Sequence, residues 1–141
     1  MGMKGVDSSI FVFALDPVTK EHATARDAIL SLQEWAINPT VVHEIYHTLV
    51  FKRGMKPNDA KSKLMAVARD RRTRFFNITK TISLYSLELA SVFNMGGRDS
   101  LIVGCYMMNG VETTLTHDSA LLAISKVAFR GRRISFSDPL A

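Results

Sequence analysis

Short apolar or β-branched runs alternate with helix-length segments along this chain, and that alternation constrains the fold more than any other feature. Residues 3–6 read as a short strand ending at Asp7, and "VETTLT", 111–116, and "RRISFS", 132–137, read as later ones. A further strand-like run, "RFFNIT", lies at 74–79. Between them, the apolar spacing predicts a helix over 19–37 that Pro39 stops. A brief extended piece, "INP", leads to Thr40 as the N-cap of a helix from 41 to about 53, which Gly54 ends. Pro57 and Asn58 open a helix over "DAKSKLMAVARDRR", and "ISLYSLELASVFN" forms another, closed by Gly96 and Gly97. "DSLIVGCYMMN", 99–109, is apolar nearly all round, so it is expected to be a buried helix. "SALLAISK" is a last short helix, while "SSIFVFAL" fits strand or helix, since a run of that length does not reveal its period. Short strands separated by helices call for a parallel sheet with helices on both faces.

The chain has 141 residues, 47% of them hydrophobic, enough to bury a core without staples, and no repeat or Pro/Gly/Ser linker divides it. One domain spanning 1–141 is expected. The single cysteine, Cys105, sits in "LIVGCYMM" and reads as a small buried hydrophobe of a reducing compartment. No leader pattern or membrane-length apolar stretch is visible, so a cytoplasmic protein away from the membrane is expected.

The formal charge is +5, unevenly spread. Between Lys52 and Arg74, nine basic residues face two acids, Asp59 and Asp70. Clustered Lys and Arg are the footprint of a phosphate-backbone binder, and a solvated helix face is the plainer reading. Lys61, Lys63, Arg69, Arg71, Arg72 and, farther along, Arg98 are the candidates for contacting such a phosphate backbone. Tyr46, Phe75 and Phe76 could stack on bases, although core packing suits them better.

Two readings compete for Glu44. "HEIYH", 43–47, has the H-E-x-x-H spacing of zinc peptidases, with His43, Glu44 and His47 opposite the helix's apolar stripe. A catalytic zinc needs a third protein ligand, and Glu88 is the one downstream candidate, with no second motif around it. The second reading starts from where acids fall relative to the elements. Asp7 ends a strand, Glu44 lies early in a helix, Asp99 begins the buried helix, and Asp118 follows "VETTLT". In an open parallel sheet, strand C-termini and helix N-termini gather on one edge, where ligands bind. Each acid alone also reads as a cap or a dipole partner. Together they would repel one another unless a cation neutralised them, and hard oxygen donors suit Mg²⁺ or Mn²⁺.

Four segments carry a family resemblance: "VDSSIFV" with Asp7 and Ser9, "TVVHEIYHTLV" with Glu44, "GGRDSLIVGCYMMNG" with Asp99, and "VETTLTHDSALL" with Thr116 and Asp118. Their order and separations, over almost the whole chain, resemble PIN-domain proteins, closest to the VapC-type toxin ribonucleases. The sequence departs from many members at "DSALLAI", where they carry an aromatic residue soon after the last acid. The resemblance implies a three-layer α/β/α sandwich around a mostly parallel sheet. It further implies a Mg²⁺/Mn²⁺-dependent endoribonuclease, frequent homodimerisation, and often an antitoxin protein as partner. Asp7, Glu44, Asp99 and Asp118 are then expected to act as metal-holding catalytic residues. Ser9 and Thr116 would fix Asp7 and Asp118 or hold water through their hydroxyls. A non-catalytic RNA-binding or interaction module and the zinc peptidase remain as alternatives.

Overall fold

The computed structural model describes residues 2–141. The strands are β1 (Lys4–Val6), β2 (Trp35–Ile37), β3 (Thr73–Phe75), β4 (Thr113–Leu115), β5 (Lys126–Phe129) and β6 (Arg132–Ser137). The helices are α1 (Ser8–Leu15), α2 (His22–Leu30), α3 (Pro39–His47), α4 (Pro57–Arg69), α5 (Lys80–Phe93), α6 (Gly97–Met108) and α7 (Ser119–Ile124), and a π-helical turn, Thr48–Lys52, extends α3. One sheet runs in the order β3-β2-β1-β4-β6-β5, parallel except for the β5–β6 pair. The chain steps outward from β1 to β2 to β3, then crosses back to β4 on the other side of β1. Because parallel crossovers are right-handed, that reversal places α1–α4 on one face and α5–α6 on the other. The packing agrees: α1 lies on α2 and α3, α3 on α4, and α5 on α6. This is the expected α/β/α arrangement around a mostly parallel sheet.

Several elements depart from their sequence reading. The helix expected over 19–37 ends at Leu30, and Trp35, Ala36 and Ile37 form β2 between β1 and β3. All three are buried, and burial on both faces erases the alternation that marks a half-exposed strand. The cap of α3 is Asn38 rather than Thr40: its Oδ1 accepts the Val41 amide at 3.1 Å, and Pro39 takes the first helical position. Its Nδ2 reaches the Ile102 carbonyl, tying α3 to α6. "SSIFVFAL" is helical, beginning directly after Asp7. The strand expected over 74–79 is the shorter β3, and the last helix stops at Ile124, freeing Lys126–Phe129 to pair with β6. Arg130 and Gly131 make that hairpin with φ of 53° and 78°, the positive pair a type I′ turn requires.

The core is continuous from α1 through the sheet to α6. At its centre Gly5 of β1 leaves room for the ring of Tyr106, which a Cβ there would meet at 2.7 Å. The fully buried Tyr106 hydroxyl lies 2.8 Å from the Val6 carbonyl and 2.9 Å from that of Ala36, sharing its proton between β1 and β2. α6 is thereby pinned over the strand that ends at Asp7. Cys105 is buried as expected, and burial pushes its thiol up to about 11. Among the described residues, no helix is long and apolar enough to cross a membrane.

Candidate functional site

Strand order reverses at β1, so the C-terminal ends of β1 and β4 open onto a crevice between diverging connections. A cleft of about 600 Å³ occupies that place, and Asp7, Glu44, Asp99 and Asp118 all line it. Acids separated by up to 111 positions in the chain are thus neighbours across one opening.

Asp7 is the anchor. Its backbone amide donates to the Leu115 carbonyl at 2.9 Å, continuing the β1–β4 pairing, and its side chain is almost fully buried. One carboxylate oxygen, Oδ2, accepts from the Thr116 hydroxyl at 2.8 Å and from the Ser9 hydroxyl at 3.2 Å. The other, Oδ1, is buried without a hydrogen-bond partner. Burial raises the Asp7 pKa above its ordinary value, the hydrogen bond from Thr116 opposes the rise, and the nearby Glu44 charge adds to it.

Thr116 ties two acids together. Fully buried, it donates to Asp7 while its oxygen accepts the Asp118 amide at 3.0 Å. Asp118 caps α7, with Oδ2 accepting the Leu121 amide at 3.0 Å. Ser9 likewise donates to Asp7 and accepts the His117 amide at 3.0 Å. Both hydroxyls thus bridge an Asp7 carboxylate oxygen and a backbone amide of the 117–118 segment. Glu44 projects from α3 and accepts from the Ser8 hydroxyl, while Arg98 approaches its other oxygen at 3.7 Å. Asp99 sits in the first turn of α6. Partial burial, followed by the charges of Asp118, Asp7 and Glu44, pushes its pKa up to about 6, with Arg98 opposing.

The carboxylates share the cleft without closing on a single point: among the described residues, no three His, Cys, Asp or Glu side chains gather as tightly as an ion would draw them. The donor set nonetheless fits a hard cation. It consists of oxygens, two of the acids carry raised pKa values from burial and mutual repulsion, and Asp7 Oδ1 has no protein partner. A divalent ion would offset the repulsion among the acids and give that oxygen a partner.

The expected basic contacts divide. Arg98 lines the cleft, but Lys61, Lys63, Arg69, Arg71 and Arg72 do not. Lys61 and Lys63 stand exposed on α4, beside two other grooves. Arg72 is engaged with Asp70 at 2.9–3.0 Å and lies over the Trp35 ring at 4.9 Å. The cleft's own cations are Lys52 and Arg53, delivered by the π-helical turn, together with Arg98. Arg53 is steadied by Asp16 at 3.4 Å and by the Phe13 ring at 5.2 Å. Lys52 and Arg53 were visible in the sequence only as members of a long basic run. Ser8, the partner of Glu44, carried no distinguishing signal beyond standing between Asp7 and Ser9. Tyr46 lines the groove beside α4 with His43, and Phe75 and Phe76 stay outside the acidic cleft.

The H-E-x-x-H spacing does not assemble a zinc site. His43 and His47 line different grooves, His47 packs its ring 5.2 Å from Phe51, and Glu88 of α5 pairs with Arg130 of the β5–β6 turn, outside the cleft.

No family model and no curated protein matches this sequence. Solved structures do. The sarcin-ricin loop cleaving toxin VapC20 of Mycobacterium tuberculosis superposes with a TM-score of 0.75 at 17% identity, covering 89% of this chain and 98% of its own. A chain of VapBC2 from Rickettsia felis, solved bound to a DNA fragment from its promoter, gives 0.68 at 15% identity, with 97% and 98% covered. DNA-bound VapBC from Salmonella typhimurium gives 0.67 at 12% identity, with 99% of both chains covered. With the reversed strand order at β1 and the acids gathered at its end, this likeness means that the chain has the PIN-domain fold of the VapC toxins.

Proposed function

We propose that this chain is a Mg²⁺- or Mn²⁺-dependent endoribonuclease and the toxin of a toxin–antitoxin pair. One observation carries the reading: Asp7, Glu44, Asp99 and Asp118 line one cleft at the reversal of strand order, with a buried oxygen of Asp7 left unpartnered. The solved VapC and VapBC structures of the same fold support it, one of them a toxin that cleaves the sarcin-ricin loop.

Asp7, Asp99, Asp118 and Glu44 would hold the cation, which when bound supplies an activated water and neutralises charge on the scissile phosphate. The chain's own residues prepare the rest. Thr116 and Ser9 hold Asp7 through Oδ2, leaving Oδ1 unpaired. Ser8 holds one oxygen of Glu44, and the α7 amide of Leu121 holds one oxygen of Asp118. Lys52, Arg53 and Arg98 offset the repulsion an acidic cleft would exert on a polyanion. Because such cations read phosphate and not base, the cleavage sequence is set elsewhere. An antitoxin and a second copy of the chain belong to the same proposal as partners.

The test is incubation of purified protein with structured and unstructured RNA in Mg²⁺, Mn²⁺ or EDTA, beside Asp7→Asn. Cleavage with either ion, abolished by EDTA and by the substitution, is the expected result. RNA binding without cleavage under every condition would replace the nuclease with a binding module.

A further inference from the structure

One cleft side chain has no part in holding the acids, and its orientation is determined from three directions. β4 and β6 run parallel with Leu115 beside Ser137, and the Thr116 amide donates to the Ser137 carbonyl at 2.9 Å. The residues just beyond both strands therefore emerge side by side. There the His117 ring places Nδ1 2.8 Å from Asp138 Oδ2. Its backbone amide is held by Ser9, and its ring meets Phe13 edge-on with centroids 5.7 Å apart. Asp138 is itself fixed, since its Oδ1 accepts the Leu140 amide at 2.9 Å. His117 lines the acidic cleft, half exposed, beside Asp118.

A carboxylate only accepts, so Nδ1 carries the proton and Nε2 is the ring nitrogen left for a ligand. In either protonation state of the ring, a ribose 2′-hydroxyl can pair with that nitrogen, because the hydroxyl both donates and accepts. The RNA backbone differs from that of DNA by this group.

Resting on the nuclease reading above, we propose that His117, oriented by Asp138, contacts the ribose 2′-hydroxyl beside the scissile phosphate and makes the cleft select RNA over DNA. His117 is the specificity-determining residue and Asp138 its positioning residue.

The test is a substrate–variant cycle in Mn²⁺. Wild type, His117→Ala and Asp138→Asn are assayed on one cleavable RNA and on copies carrying a single 2′-deoxy sugar at successive positions around the cut. At one position, the wild type is expected to lose about tenfold in kcat/KM on the deoxy copy, the value of one hydrogen bond. His117→Ala is expected to lose about tenfold on RNA and nothing further on that deoxy copy. Asp138→Asn should lose less on RNA and show the same insensitivity in part. Equal losses by His117→Ala on RNA and on every deoxy copy would mean a structural role and overturn the inference, as would unchanged RNA cleavage. Either result leaves wild-type cleavage and the nuclease reading intact. Absence of cleavage by the wild type itself would instead overturn that reading, and this inference with it.

Discussion

Substituting Asp99 separates stability from function in a way the cleft's electrostatics specify. Its carboxyl is pushed from 3.8 to about 6 by partial burial and by the charges of Asp118, Asp7 and Glu44. Each pKa unit is worth about 1.4 kcal/mol, so an unscreened group would oppose folding by about 3 kcal/mol when ionised. The side chain is half-buried, and solvent screening reduces that to about 1–2 kcal/mol. The sign follows from the direction of the shift. A carboxyl whose pKa is raised on folding adds stability below its unfolded pKa and loses it as pH rises through the folded value. Asp99→Asn should therefore leave stability nearly unchanged near pH 3.5 and increase it by about 1–2 kcal/mol at pH 7.5, with the gain developing between about pH 4 and 6. Loss of a favourable acid in the first turn of α6 offsets a few tenths of that. Thermal unfolding of cation-free protein in EDTA reads the difference as roughly 3–8 °C in Tm at pH 7.5. Added Mn²⁺ should then raise the Tm of the wild type more than that of the variant, since an ion binding only the folded state stabilises by mass action. A variant less stable than wild type at pH 7.5, or equally stabilised at both pH values, would refute the account of mutually repelling carboxylates.

Asp7→Asn should lower RNA cleavage on the order of a thousandfold or more and weaken Mn²⁺-induced thermal stabilisation, while circular dichroism stays native. In the packing layer, a Cβ on Gly104 would lie 2.2 Å from the Ser86 hydroxyl oxygen, so Gly104→Ala should cost about 1–3 kcal/mol in urea unfolding, and Ser86→Gly in the same chain should recover part of it. Tyr106→Phe removes the buried hydroxyl between the Val6 and Ala36 carbonyls and should cost about 1–2 kcal/mol by the same measurement. For RNA affinity, Lys52→Ala with Arg98→Ala should weaken binding and flatten its salt dependence more than Lys61→Ala with Lys63→Ala, because only the first pair lines the cleft.

Much of the architecture was legible locally. The buried helix announced itself through apolar residues all round, and α6 buries Ser100 and every residue from Ile102 to Met107. Gly54 ends the α3 extension at φ +73°, as its position suggested. β2 was hidden because a strand buried on both faces reads like the end of the preceding amphipathic helix. β5 was hidden because Val127 is its one buried side chain, so pairing with β6, and not pattern, makes it a strand. The basic run did not reveal which of its members line the acidic cleft, for a related reason. Charge density along the chain carries no direction, and α4 presents Lys61 and Lys63 to other grooves while the less conspicuous π-helical turn brings Lys52 and Arg53 to the acids.

The sequence by itself determined which chemistry was available: acids placed at the ends of strands and starts of helices, hydroxyls beside two of them, and an alternation of elements that leads to a parallel sheet. Tertiary structure decided which of these groups meet. His117 and Asp138 are 21 residues apart in sequence, and only the parallel β4–β6 pairing makes them a hydrogen-bonded pair. Likewise, Asp7 is buried with one oxygen bonded to Thr116 and the other unpaired only because β1 and β4 end side by side. Residue type sets what a group can do, but distance, burial and partner set its charge and reach, and those depend on which strands lie side by side.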